Sequence, residues 1–148
     1  MDGKRNGKGK EYYSEGNIKF EGEYLNGIRW SGNRYNKDGN LEFELKNGCG
    51  KVKEYYDDGI LKFEGEYLNG ERNGKGKEYV YYGILKFEGE YLNGERWNGK
   101  GKEYYDNGEL FFEGEYLNGE KNGKCKEYNN SGKLVFDGEY KNGNKYNG

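Results

Sequence analysis

The chain has 148 residues, with 25 Lys and Arg against 27 Asp and Glu for a net charge of −2, and it holds 28 glycines and 17 tyrosines but no proline or histidine. Interleaved charge offers no basic field to a nucleic-acid backbone, the lack of histidine removes the imidazole base and the His metal ligand, and so much glycine without a G-X-Y period excludes collagen while the tyrosines argue against disorder. At 31% apolar and 35% charged residues, the chain supports a shallow, one-sided core rather than a deep globular one.

The opening MDGKRNGKGKEYY has no signal-peptide apolar region, and no later apolar run approaches a membrane span. A cytoplasmic location follows by default. From Phe20 onward the phrase FEGEYLNG returns, and its closing glycines at Gly27, Gly48, Gly70, Gly94, Gly119 and Gly143 leave gaps of 21, 22, 24, 25 and 24 residues. A period of this length marks a repeat array in which each unit is too short to bury a face alone and stacks on its neighbours.

Each unit also carries an X-Gly pair, at Gly16, Gly39, Gly59, Gly83, Gly108 and Gly132, which predicts the turn of a β-hairpin. A two-residue turn at Asn107-Gly108 sets Tyr105 opposite Leu110, Glu103 opposite Phe112, Gly101 opposite Gly114 and Gly99 opposite Tyr116 on one face. The other face then matches Lys102 with Glu113 and Lys100 with Glu115, and the same register matches Lys10 with Glu21, Lys53 with Glu64, Lys77 with Glu88 and Lys126 with Asp137. A slip of one residue would break every pair and turn the phenylalanines outward.

The unit around residues 28–50 is degenerate. It keeps Leu41, Phe43 and Leu45 but sets Leu45 opposite Gly32, as Val52 faces Gly65 and Cys125 faces Gly138, so facing glycines read as packing positions and not as a ligand site. Glu11, Glu54, Glu78, Glu103 and Glu127 fall on the aromatic face, either paired with Arg29, Arg72, Arg96 and Lys121 or open to a ligand. Cys49 and Cys125 are about three units, roughly 29 Å, apart, far beyond the roughly 7 Å that a disulfide spans, and read as free thiols. The chain begins and ends within a unit, as if cut from a longer array.

FEGEYLNGERNGKGKEY, Phe63 to Tyr79, resembles the membrane occupation and recognition nexus (MORN) repeat, with clear openings at Phe20, Phe63, Phe87, Phe112 and Phe136 and a degenerate one at Phe43. The chain departs from the pattern in using Phe for the usual opening Tyr, in the additional Trp30 and Trp97, and in its damaged second unit, which is expected to bend the array. The resemblance implies an all-β fold: an elongated single-layer antiparallel sheet of tandem β-hairpins, about twelve strands in about six units over residues 1–148, with no helices.

It also implies a non-catalytic scaffold, without cofactor, metal or catalytic residues, that mediates protein–protein interaction or self-association. The expected binding face carries Phe20, Tyr24, Phe63, Tyr67, Phe87, Tyr91, Phe112, Tyr116, Phe136 and Tyr140; because a single layer has no second sheet to cover it, it must be closed by curling, by a second copy or by a protein partner such as an amphipathic helix. Two alternatives stand beside this: a phospholipid-associating module, placed peripherally at membrane or cytoskeleton, and the targeting segment of a larger enzyme such as a phosphoinositide kinase. Nucleic acid is not an expected partner.

Overall fold

Alternation of a charged residue with an apolar or glycine residue gives almost every segment a period of two. In a computed structural model describing residues 4–147, these segments are thirteen β-strands, with no helix among the described residues. In chain order they are β1 (Gly7–Tyr12), β2 (Ile18–Leu25), β3 (Ile28–Tyr35), β4 (Leu41–Leu45), β5 (Gly50–Tyr55), β6 (Leu61–Leu68), β7 (Glu71–Tyr79), β8 (Leu85–Leu92), β9 (Glu95–Tyr104), β10 (Leu110–Leu117), β11 (Glu120–Tyr128), β12 (Leu134–Lys141) and β13 (Asn144–Asn147). Each pairs antiparallel with its sequence neighbour, in a four-stranded sheet β1 to β4 and a nine-stranded sheet β5 to β13.

Two kinds of hairpin alternate along the chain. At Asn93-Gly94 both turn residues have positive φ, 51° and 90°, with Leu92 opposite Glu95, the geometry of a two-residue I′ turn; Asn69-Gly70 and Asn118-Gly119 repeat it. The turn at Gly108 differs from the two-residue turn expected there. The Gly108 amide donates to the Tyr105 carbonyl and the Tyr105 amide to the Glu109 carbonyl, so Asp106, Asn107 and Gly108 form a three-residue loop and Gly108 (φ 87°) takes the left-handed place at its end. This shifts the nearest pair, and Leu110 faces Tyr104 instead of Tyr105. Phe111 then bulges out as an extra residue, after which Phe112 faces Glu103, Gly114 faces Gly101 and Tyr116 faces Gly99, as the charge pattern requires.

The extra tryptophans act on register. In the β6–β7 hairpin Phe63 faces Glu78, whereas Trp97 bulges from β9 and Phe87 faces Gly101 across the β8–β9 hairpin. The insertion thus slips the pairing by two residues, which preserves the faces.

The ladder breaks where the second unit is degenerate. Lys46 and Cys49 close a turn at Asn47-Gly48, but β4 pairs onward only with β3 and β5 only with β6, so the expected continuous sheet is two. This unit has lost the tyrosine that follows the phenylalanine by four positions, the place held by Asn47, and Leu45 and Val52 occupy glycine positions.

Candidate functional site: the aromatic face

Even-numbered strands from β2 to β12, β4 excepted, carry Phe and Tyr four residues apart on one side. Glycines opposite leave room for the rings: carbons of Phe63 and Tyr91 would lie 2.7 and 2.9 Å from a Cβ at Gly76, and Tyr116 takes the same seat over Gly101. Tyr91, Tyr116 and Tyr140 each pack edge-on against the phenylalanine of their own unit and that of the unit before, Tyr91 against Phe63 (5.2 Å between centroids) and Phe87 (5.5 Å). Facing glycines are therefore packing positions.

Above the rings lies a second repeated feature. Glu54 accepts from the Tyr67 hydroxyl at 2.6 Å and from two nitrogens of Arg72 at 3.0 Å, and the Arg72 guanidinium lies 4.2 Å from the centre of the Phe63 ring. Glu78, Tyr91 and Arg96 repeat this over Phe87, and Glu11, Tyr24 and Arg29 over Phe20. Lysine serves in the last two copies, where Lys121 meets Glu103 over Phe112 and Lys145 meets Glu127 over Phe136. Of the two readings open for these glutamates, the structure selects structural pairing.

The ladder tunes its own protons. Bonds from Arg29 hold the Glu11 carboxyl down to about 2; at Glu54 and Glu78 burial pushes upward, but bonds from the arginine and tyrosine outweigh it and the carboxyls stay below the usual range. Burial, reinforced by the neighbouring carboxylate, lifts the Tyr67 and Tyr91 hydroxyls, and pushes Tyr116 and Tyr140 up to about 12.

The second unit reverses the charges. Arg34 faces Phe43, where other units set a glutamate opposite phenylalanine, and its buried guanidinium pairs with Glu42 at 2.7 Å and with the Tyr13 hydroxyl at 2.8 Å, while Tyr55 also donates to Glu42. Its Nε is buried without a hydrogen-bond partner.

Of the ten residues expected to form an open binding face, Phe20, Phe63, Phe87 and Phe112 are fully buried and Tyr24 and Tyr91 nearly so, whereas Tyr67, Tyr116, Phe136 and Tyr140 keep partial exposure. The face is closed largely from within, one side chain thick. On the opposite face the expected lysine–carboxylate register holds throughout, yet the pairs that close within 4 Å among the described residues are Lys10–Glu21 and Lys77–Glu88, all about half exposed. That side also has a hollow of about 660 Å³ beside Gly101 and Gly114, with Lys100, Lys102, Glu113 and Glu115 around it.

Sequence reasoning missed a set of clamps between units. The amides of turn asparagines donate to a side chain of the preceding unit, Asn93 to Asn73, Asn118 to Asn98 and Asn26 to Asn6, while the next glycine amide donates to a backbone carbonyl there, Gly94 to Arg72 and Gly119 to Trp97. The recurring Asn before Gly-Lys was the available signal. Cys49 and Cys125 are free; among the described residues no three of His, Cys, Asp or Glu converge, and no helix is long and apolar enough to cross a membrane.

The MORN repeat variant matches residues 5–26, 49–69, 97–118 and 121–142, and the MORN repeat itself matches 63–79. With more than half of its length matched, the chain belongs to the MORN repeat family, whose members are in general non-catalytic repeat proteins that bind partners or associate with membranes. A search of the curated proteins finds no match.

Proposed function

We propose that the chain is a non-catalytic scaffold that engages a protein segment along its aromatic-lined face. The observation that supports this is the composition of the outer skin of that face. Arg29, Arg72, Arg96 and Lys121 lie over the phenylalanines with 20 to 28% of their side chains exposed, on the same face as the partly exposed Tyr67 and Tyr116. Arginine and tyrosine held rigid by neighbours are the residue types that dominate interface hot spots, and each planar guanidinium retains a rim able to meet a carboxylate. A partner such as an amphipathic helix with acidic positions, or a second copy, fits such a skin. Phosphoinositide recognition draws less support, since the lysines of the opposite face stand across from carboxylates.

A photo-crosslinking residue placed at Tyr116 tests the reading against one placed at Lys102 on the other side, in the cell that makes the protein. Protein adducts are expected from position 116 and to fall at least tenfold in the double variant Arg72→Lys, Arg96→Lys, which keeps the charge and copies the lysine that unit five already tolerates. Equal adducts from both positions, or adducts to lipid alone, would overturn it.

A further inference from the structure

The hairpin turn at residues 80–83 departs from all the others in a way that the fold does not require. In four of the other turns a polar side chain braces the loop: Asn36 Oδ1 accepts the amides of Asp38 and Asn40, Asn129 those of Ser131 and Lys133, Asn107 that of Glu109 and Asp58 that of Ile60. The 80–83 turn keeps the backbone bonds, Val80 amide to Ile84 carbonyl at 2.9 Å and Gly83 amide to Val80 carbonyl at 2.8 Å, but fills its remaining places with Val80, Tyr81 and Tyr82. Tyr81 is 59% exposed and Tyr82 36%, their rings edge to face at 4.9 Å.

Val80 also replaces a tyrosine. Its counterparts Tyr56 and Tyr105 in the adjacent turns reach across to the next hairpin, donating to the carbonyls of Tyr79 and Tyr128 at 2.7 and 2.8 Å; valine has no hydroxyl to offer Tyr104 in the same way. Beside Val80 lies a cleft of about 510 Å³ lined by Tyr56, Tyr81, Tyr82, Tyr104 and Tyr105. Its charged lining is mixed, Lys86 and Arg96 with Glu103 and Asp106, and the exposed acids stand in the turns on either side, Asp57 in the preceding one and Asp106 in the following one.

We propose that this cleft binds a proline-rich segment in the polyproline II conformation with a basic residue at its flank. Three features of the cleft select that occupant. Successive hairpins recur every two strands, roughly 9.6 Å, and polyproline II recurs every three residues, roughly 9.3 Å, so proline rings fall in step with the gaps between the turn tyrosines. That helix has no internal hydrogen bonds, leaving its carbonyls free for the Tyr81 and Tyr82 hydroxyls, and such segments dock in aromatic-lined grooves. The flanking carboxylates complement a lysine or arginine beside the proline run. The site is separate from the aromatic face, and its failure would leave the reading of that face untouched.

The probe is a synthetic peptide with two consecutive P-x-x-P turns followed by two arginines, titrated into the full chain by calorimetry. Saturable binding is expected and is expected to weaken at least tenfold in Tyr81→Asp with Tyr82→Asn, which copies the Asp106-Asn107 turn of the next unit and leaves the thermal midpoint unchanged or raised. Asp57→Asn with Asp106→Asn is expected to weaken the arginine-bearing peptide two- to fivefold without affecting one that lacks arginine. No saturable binding, equal binding by the tyrosine double variant, or equal binding of a proline-free peptide of the same charge would refute the proposal. So would dependence of self-association or vesicle binding on Tyr81 and Tyr82 in place of peptide binding.

Discussion

Glu78 takes a hydroxyl bond from Tyr91 and two bonds from Arg96, and a nitrogen of Arg72 stands 3.6 Å away. Neutralising it leaves two partly buried guanidinium groups short of a partner, so Glu78→Gln is expected to cost about 2 kcal/mol in a urea titration, whereas Lys77→Ala, from an exposed pair, costs under about 1 kcal/mol. Equal losses would mean that the ladder carries no more than a surface ion pair. The same groups set the pH limits of the fold. Because the folded carboxyl of Glu11 lies at about 2 against an ordinary 4.5, and Glu54 and Glu78 are also depressed, their contribution is complete above the ordinary value and lost as pH falls from about 5 toward 2. The tyrosines act in reverse: raised from an ordinary 10, with Tyr116 and Tyr140 at about 12, they contribute fully below 10 and lose that contribution as pH climbs toward 12. The urea midpoint is expected to be level between about pH 5 and 10 and to fall on both sides; a midpoint unchanged between pH 5 and 2 would contradict the assignment. The place of each glutamate on the aromatic face was legible from spacing, while its pairing with the loop cation was one of two readings that spacing left open. The asparagine clamps were not, because an asparagine bonding a neighbouring unit leaves no mark in the register of its own hairpin.

At the scale of the hairpin, glycine plays two distinct parts that substitution separates. Gly16 has φ 97° with nothing within 4 Å of a would-be Cβ, so Gly16→Ala meets only backbone strain, about 1 kcal/mol. A Cβ at Gly89 would instead lie 2.6 Å from Cα of Gly99 on the facing strand, with the Asn98 carbonyl closer still, and Gly89→Ala is expected to cost about 3 kcal/mol or more. The reverse order, measured by denaturant titration, would undo the close approach. Trp97 offers a test of register: its deletion gives β9 the sequence of β7, and Phe87 is then expected to face Glu103 in place of Gly101, read from cross-strand nuclear Overhauser contacts. Turn positions were legible in the Asp-Gly and Asn-Gly pairs, but the loop length at Gly108 was not. A three-residue loop followed by the Phe111 bulge restores the register that a two-residue loop would set, so lysine–glutamate matching cannot distinguish the two.

Across the whole molecule, the array is as continuous as its units are complete. The damage to the second unit was visible as a departure from the repeat, and a bend was the expected result; the separation into two sheets was not legible, because it depends on β4 and β5 losing their mutual ladder beyond Lys46 and Cys49. Repeat arrays open first at their weakest interface, so amide exchange in β4 and β5 is expected to outpace that in β7 to β10. The central claim is that the aromatic face is closed by the chain itself, through tyrosine edges and stacked cations, and needs no second sheet. Nitration of the native, isolated chain followed by residue-level mass spectrometry measures this directly. Tyr12, Tyr81 and Tyr146, each more than half exposed, are expected to be modified, while Tyr24 and Tyr91, at 5 and 3% exposure with hydroxyls bound to Glu11 and Glu78, are expected to stay intact. Modification of Tyr24 and Tyr91 at the rate of Tyr81 would mean that the face stands open and that something other than this chain must cover it.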